Sequence, residues 1–243
     1  METLSKYKDK IREENLFRPR WYSVFINPYF INRYTLYRTI HNFSAALEPH
    51  IKILDVGCGI KPYKKLFSDS EYTGIDIRGG GHADTEKTVD AYYDGTHIPF
   101  KNETFDVIIC TQVLEHAVDA ETLIAECSRV LKPNGSLFLT MPFIYHEHEI
   151  PYDFRRFTRY GHMQICEKNH LQIENIIKTT GFCGTFAQLF CATLFEALPF
   201  KSIIFKILIT FIIFSPIQII GMLLDFITRK YGPTMDYVTI ARK

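Results

Sequence analysis

The stretch I-K-I-L-D-V-G-C-G at 51–59 constrains this chain more than any other. Ile51, Ile53, Leu54 and Val56 form an apolar run, as a parallel strand buried on both faces requires. The run ends in Gly57 and Gly59, one residue apart. Glycine at that place lets the backbone turn sharply and lets a ligand come close to the main chain. A side chain at Gly57 would then stand in the ligand's way. A second strand, 72–75, ends in Asp76, nineteen positions after Gly57. An acid at such a strand tip can accept hydrogen bonds from the two hydroxyls of a ribose. The pattern predicts an adenosine-containing cofactor.

Two cofactor classes fit a ribose acid. A dinucleotide site asks for G-x-G-x-x-G, with the third glycine allowing close helix–strand packing and the helix N-terminus facing pyrophosphate. Pro62 stands at the third glycine position, in G-C-G-I-K-P-Y. That departure disfavours a nucleotide-dependent oxidoreductase. S-adenosylmethionine has the ribose and no pyrophosphate.

The residues Leu54-Asp55-Val56-Gly57-Cys58-Gly59 resemble the nucleotide loop of class I S-adenosylmethionine-dependent methyltransferases, of the type 11 kind. The resemblance continues in order through D-G-T-H-I-P-F at 94–100, T-F-D-V-I-I at 104–109, Q-V-L-E-H at 112–116 and R-V-L-K-P-N-G-S at 129–136, with Asn134 replacing a glycine. G-C-G-x-K-P-Y and P-Y-D-F-R-R-F-T further resemble a subgroup found among modifiers of cell-surface polysaccharides and lipids. The match covers roughly 51–182. It implies a cofactor-binding set of Asp55, Gly57, Cys58, Gly59, Asp76, Ile77, Asp94, Gly95, Gln112 and Val113. By this resemblance Asp55 helps orient the cofactor's ammonium, Asp76 holds the ribose, Asp94 accepts from the adenine amino group, and Gln112 and Val113 line the methionine side. Cys58 reads as a small packing residue, and Asp106 as structural.

The 243 residues suit one domain with an appendage. With 28 basic against 27 acidic residues, no electrostatic footprint for nucleic acid is present. Six cysteines without a C-x-x-C argue against zinc and against a disulfide framework, and fit a reducing, cytoplasmic setting. The first fourteen residues are charged and lack an apolar core, unlike a signal peptide.

The expected fold is α/β: a doubly wound, Rossmann-like seven-stranded methyltransferase sheet with a helical N-terminal cap and an apolar helical insertion before the last strand. The division is a cap over 1–50, a cofactor-binding core over 51–185, the insertion over 186–230 and the last strand of the core over 231–243. Strands are expected near 51–56, 72–76, 88–92, 105–111, 136–141, 171–178 and 236–242, and helices near 61–67, 119–131 and 158–168. The aromatic N-terminal cap packs on the sheet and could also act as a lid over the acceptor. Asp55, Gly57, Asp76, Asp94 and Gln112 all fall at or just past strand ends, where ligands of such sheets sit.

Residues 203–224 are long and apolar enough to cross ~30 Å of hydrocarbon at ~1.5 Å per residue. Yet the final segment M-D-Y-V-T-I-A-R-K must rejoin the sheet. Pro216 is expected to break the run into two arms too short to span, giving an interfacial hairpin. Lys201, Lys206, Arg229 and Lys230 flank it and suit anionic headgroups. The expectation is peripheral contact through 203–227 with the cytoplasmic face of the inner membrane, against packing on the domain or on a second subunit.

After the fifth strand comes M-P-F-I-Y-H-E-H-E-I-P-Y-D-F-R-R-F-T. This loop should overhang the acceptor. A hydroxyl acceptor needs a base near its proton, and His is the commonest candidate. His146 and His148 lead, then His116. Arg155 and Arg156 could grip an acidic sugar or phosphate, with one expected to bind and the other to shape the loop through Asp153. H-E-H lacks the H-E-x-x-H spacing, so no metal is expected. The implied function is methyl transfer to an oxygen of a glycan, lipid-linked or small-molecule acceptor, with carbon methylation of a lipid quinone as the alternative.

Overall fold

In a computed structural model of the chain, residues 16–81, 83–199 and 202–243 are described. The charged N-terminal stretch and Lys201 lie outside them. Seven strands form one sheet: β1 Lys52–Val56, β2 Glu71–Ile77, β3 Ala91–Tyr93, β4 Phe105–Thr111, β5 Leu131–Pro142, β6 Gln172–Lys178 and β7 Asp236–Arg242. Their order is β3-β2-β1-β4-β5-β7-β6. β2, β1, β4 and β5 run parallel, and β7 runs antiparallel against β5. The chain order reverses at β1, between β2 and β4, so the loops after β1 and β4 meet at the switch point where such sheets hold ligands.

The strands are apolar because helices cover them. Leu54, Val56, Ile108, Cys110, Leu137 and Leu139 are fully buried with Leu123, Ile124, Cys127 and Val130 of helix α2 (Ala120–Val130). Asp119 caps that helix by accepting from Thr122 N at 3.0 Å. From its last turn, Arg129 donates to the carbonyls of Ile98 and Phe100, and Glu126 accepts from Ile98 N. These bonds pin 98–100 to the last turn of α2. Asp106 is structural, as expected: it takes Lys132 Nζ and Lys52 N. A further helix, α3, spans Arg159–Lys168.

The helix expected over 61–67 is only a short 3-10 turn, Lys64–Phe67. Lys61 lies at φ 54° and Pro62 follows, so the chain folds back instead of entering a helix. The Lys61 stem lies over Gly74, where a Cβ would come within 2.4 Å of it, and its ammonium pairs with Asp90 at 2.6 Å. The β3 strand is shorter and later than expected, and β5 begins at Leu131.

The chain divides into two compact units. Phe43–Ile177 with Asp236–Lys243 make the sheet unit; residues up to Asn42 with Lys178–Met235 make the other. The N-terminal segment and the apolar insertion, expected as separate appendages, thus share one unit. Helix α4 (Phe182–Ala197) pairs antiparallel with a long helical rod made of α5 (Ile203–Ile209), a π-turn (Thr210–Phe214) and α6 (Ser215–Thr228). Gly221 meets Ala187, and Cys191 Sγ approaches Phe214 O. The Asp225 carboxylate accepts from Gly181 N and Gly184 N, satisfying the first amides of α4 and opposing the positive end of its dipole. Two buried glutamines bind the N-terminal segment to this hairpin. Gln188 bridges Pro28 O and Asn32 N; Gln218 bridges Asn27 O and Ile31 N.

Pro216 does not break the rod, which corrects the expectation. It sits in the first turn of α6, where a missing N–H is tolerated. The π-turn before it absorbs the misfit, and Ser215 ties that turn by donating both its N–H and its Oγ (at 2.8 Å) to the Thr210 carbonyl. The result is a continuous apolar helix, Ile204–Thr228, with only 28% of its most apolar window buried.

Replacing Asp225 with Ala leaves Gly181 and Gly184 N–H groups without a partner in a buried site. A loss of about 1–3 kcal/mol in urea unfolding is expected. Asp225→Asn should recover part of it, and an unchanged midpoint for both would remove Asp225 as the hairpin's clamp.

Candidate functional site

The β1 loop carries a cradle. Gly57 N and Cys58 N both donate to Ile75 O, which bends the chain over β2. Gly57 has φ 70° and faces Val113, whose Cγ2 lies 2.3 Å from where a Cβ would be. Gly57 is therefore required by its left-handed backbone and by the close approach of Val113. Gly59, at φ 48°, is the open one: nothing among the described residues lies within 4 Å of its absent Cβ. Cys58 turns away from this opening, packs against Gly74, and burial pushes its thiol pKa up.

Two acids flank the cradle. Asp55 is buried on β1; its Oδ2 accepts from Tyr72 Oη at 2.5 Å, and its Oδ1 has no partner among the described residues. Burial, opposed by the Tyr72 bond and reinforced by the nearby Asp76 charge, raises its pKa to about 7. Asp76 accepts from Gly59 N on Oδ2 at 2.9 Å and from Ile77 N on Oδ1 at 2.8 Å. Lys87 Nζ also reaches Oδ1, at 3.1 Å, while donating to Ile77 O and Gly79 O. Lys87 was invisible to sequence reasoning, because it stands eleven residues past the acid in a loop without periodicity.

The remaining cofactor candidates line the same edge. Asp94 Oδ1 accepts from Thr96 N, Thr96 Oγ1 and His97 N. These bonds lower its pKa to about 2 and hold the turn in which Gly95 has φ 87°. Ile77 packs its Cγ2 at 3.5 Å from the Gly95 position. Gln112 adopts φ 56° at the end of β4, with its amide and side chain tied to Thr140. These groups fit S-adenosylmethionine. The orphaned Asp55 Oδ1 wants a cation, the space beside Gly59 admits a ligand to the backbone, and Asp76 Oδ2 retains acceptor capacity for a ribose hydroxyl.

A second cluster forms beyond β4 and β5. Glu115 is completely buried, and neither carboxylate oxygen has a hydrogen-bond partner among the described residues. Burial raises its pKa to about 8. His116 Nδ1 lies 2.8 Å from Tyr152 O, so it carries the proton there and leaves Nε2 as an acceptor. His148 Nδ1 lies 3.1 Å from Asp153 Oδ2, and the two imidazoles meet edge to face at 4.9 Å. Burial lowers the His148 pKa against the pull of Asp153. His146 stands apart, stacked on Tyr145.

Both arginines shape this loop, which corrects the expectation that one binds a ligand. Arg155 spends its guanidinium on the carbonyls of Ala117 and Val118. Arg156 grips Asp153 through two bonds, at 2.5 and 2.7 Å. Within Q-V-L-E-H the resemblance implied cofactor contacts only for Gln112 and Val113. The burial of Glu115 follows from the turn after β4 and has no signature in the sequence.

Residues 54–139 match the family model described as a methyltransferase domain. The ubiquinone biosynthesis O-methyltransferase of Bos taurus mitochondria is 36% identical over 110 residues, covering 37% of this chain and 28% of that protein. That of Pasteurella multocida is 33% identical over 109 residues, covering 37% and 45%. A sterol 24-C-methyltransferase of Gibberella zeae is 32% identical over 108 residues, covering 39% and 28%. The chain thus spans less than half the length of these relatives. Among solved structures, an S-adenosylmethionine-dependent methyltransferase from Mesorhizobium loti superposes with a TM-score of 0.54 at 14% identity, over 88% of this chain and all of that one. That likeness establishes the fold. The glycine loop, the acid at the tip of β2 and the match over 54–139 together show a methyltransferase domain in that stretch, similar to those of class I S-adenosylmethionine-dependent methyltransferases.

Proposed function

We propose that this chain transfers a methyl group from S-adenosylmethionine to an oxygen of a small, glycan or lipid-linked acceptor at the cytoplasmic face of a membrane. The observation that carries the cofactor half is the open face of Gly59 between an orphaned carboxylate oxygen of Asp55 and the Asp76 carboxylate. Asp55 would take the cofactor's ammonium, Asp76 its ribose, and Asp94 Oδ2 its adenine amino group. Bound there, S-adenosylmethionine supplies a methyl group on an already cationic sulfur. The protein's task is then positioning, which can be worth several kcal/mol. The acceptor's proton must leave, and Glu115, His116 and His148 gather proton-accepting atoms at the adjoining strand ends. The O-methyltransferase relatives support oxygen as the accepting atom, while the sterol relative carries the same stretch for carbon.

The membrane half rests on the hairpin. Phe186, Phe190, Ile204, Leu208, Ile212, Leu223 and Phe226 are exposed on it. An exposed apolar face of that extent calls for cover. Lys206, Arg229 and Lys230 supply positive charge along it, which favours anionic lipid by about 1 kcal/mol each. Both ends of the hairpin return to the sheet strands β6 and β7, so it can enter an interface without crossing. Free cysteines throughout accord with a cytoplasmic setting.

Gly59→Asn tests the cradle. Asn tolerates the left-handed backbone, so stability should hold, while its side chain fills the ligand space. Calorimetry should give at least about a tenfold loss in S-adenosylhomocysteine affinity, some 1.4 kcal/mol. Gly57→Ala should instead destabilise the fold by collision with Val113. Full affinity in Gly59→Asn would overturn the assignment.

Asp55 gives the site a pH dependence. Its folded pKa lies above the unfolded value, so its protonated form favours the fold at low pH and that contribution fades as pH rises through about 7. A cationic ligand favours the ionised form. Affinity for S-adenosylhomocysteine should therefore rise between about pH 6 and 8 with proton release, and Asp55→Asn should flatten the curve. A flat wild-type curve would remove the ammonium contact.

Ile212→Ser with Ile213→Ser tests docking, since both side chains are exposed, at 65% and 48%. The wild type should float with anionic vesicles, and the double variant should stay in the soluble fraction with unchanged cofactor affinity. A wild type that remains monomeric without lipid and never floats would refute docking. A tight dimer that the same changes dissolve would make the face a subunit interface.

A further inference from the structure

Glu115, His116 and His148 hold a combination that ordinary packing does not explain. One candidate ligand atom from each lies within 4.8 Å of the others. All three are acceptors facing one another. Glu115 Oε1 is 3.8 Å from His116 Nε2, too far for a hydrogen bond, and both Glu115 oxygens lack any partner among the described residues. A second carboxylate oxygen, Glu149 Oε2, lies 4.0 Å from the same His116 nitrogen.

The cation closest at hand, Arg156, gives its terminal nitrogens to Asp153; its buried Nε has no hydrogen-bond partner among the described residues, and it acts on Glu115 only as a through-space charge. Burying an unpaired carboxylate costs several kcal/mol, so such a group is usually protonated, paired or metal-bound. A protonated Glu115 would have His116 Nε2 as a neighbouring acceptor, but at 3.8 Å that contact is too long to be a hydrogen bond.

The imidazoles are set as metal ligands are set. His116 has its Nδ1 proton fixed by the Tyr152 carbonyl, and His148 has its Nδ1 fixed by the Asp153 carboxylate. Such outer partners orient a ligating ring and choose its tautomer, leaving Nε2 bare. Asp153 is itself braced by Arg156 and by His148 N, so the His148 ring has a rigid support.

We infer that Glu115, His116 and His148 form a binding site for a divalent transition-metal cation of the zinc or manganese kind, placed at the acceptor side of the sheet. Two imidazoles and a carboxylate favour such a cation over magnesium or calcium, which take oxygen. Metal–ligand bonds of about 2.1 Å in a tetrahedral site put ligand atoms about 3.4 Å apart, so the cluster must close by up to about 1.4 Å to hold a cation, a shift within the reach of side-chain rotation. The sequence argued against a metal because H-E-H lacks ligand spacing. The fold supplies what spacing could not, by bringing Glu115 and His116 from the loop after β4 to His148 from the loop after β5. The site uses the same three residues that the proposed function offers as proton acceptors and would replace that role, since a cation held by their lone pairs would instead lower the pKa of an acceptor hydroxyl; binding of the metal itself needs neither the cofactor nor turnover.

Calorimetry of the full chain, stripped with chelator, against ZnCl2 and against MnCl2 tests this directly, with MgCl2 as the comparison. One equivalent of Zn2+ or Mn2+ should bind and raise the melting temperature. Glu115→Gln and His148→Ala should each weaken binding by at least about tenfold. Substitution with Co2+ should give visible absorption bands in the wild type that His148→Ala shifts or removes. S-adenosylhomocysteine affinity should be unchanged in Glu115→Gln, which shows that this variant is folded and separates failure here from failure of the cofactor site. Absence of a stoichiometric Zn2+ or Mn2+ site in the wild type, or equal affinity in Glu115→Gln and His148→Ala, would overturn the inference.

Discussion

The Asp76 carboxylate is the joint on which the cofactor edge depends. One oxygen takes the amide of Gly59 and the other takes Ile77 N and Lys87 Nζ, so a single side chain fastens the β1 loop, the end of β2 and the loop before β3. Charge-assisted bonds of this kind are roughly twice as strong as neutral ones. The acid thus sets the shape of the cradle before any ligand arrives. Lys87 also spends two bonds on the carbonyls of Ile77 and Gly79, which fastens the end of β2 to the approach to β3. A ribose would meet an acid already oriented, with little reorganisation left to do.

The loop after β1 solves a related problem by a different device. Where a third glycine would let a helix pack against the strand, this chain has Lys61-Pro62-Tyr63. The Lys61 stem fills the space left by Gly74 and its ammonium is neutralised by Asp90, which also accepts Gly74 N. Sheet and loop are joined by an ion pair instead of by glycine contact. Pro62 was correctly informative as a departure, but the compensating Lys61–Asp90 pair joins residues twenty-nine apart. No local pattern reveals it.

What the sequence made legible follows from periodicity and strand-end chemistry. The buried strands, the Gly57–Gly59 turn and Asp76 each depend on local identity, and the sheet brings Asp55, Gly59, Asp76, Asp94 and Gln112 to one edge. What escaped depended on pairing at a distance. The apolar rod was visible, but its bend was assigned to Pro216 because proline in a helix interior usually breaks it. The π-turn and the Ser215 hydroxyl remove that conflict. The arginines of the acceptor loop looked like ligand grips, yet nearby carbonyls and Asp153 claim them first. A guanidinium has five donors, and a tight loop rich in unpaired carbonyls can absorb most of them.

Asp55 and Glu115 share a physical condition. Each is a buried carboxylate with oxygen lone pairs unclaimed by the surrounding chain, and burial drives the pKa of each toward or above neutrality. One lies beneath the glycine cradle and the other beyond the end of β4, the neighbouring strand. Aliphatic side chains of similar size would be less costly at both places, so their presence argues for positive partners that come from outside the chain. An ammonium suits the first, which opens toward the space beside Gly59. A metal cation suits the second, which faces two imidazoles already stripped of their outward protons. The energetic deficit left in the empty fold is then recovered on binding, where it adds to affinity and selects for charge.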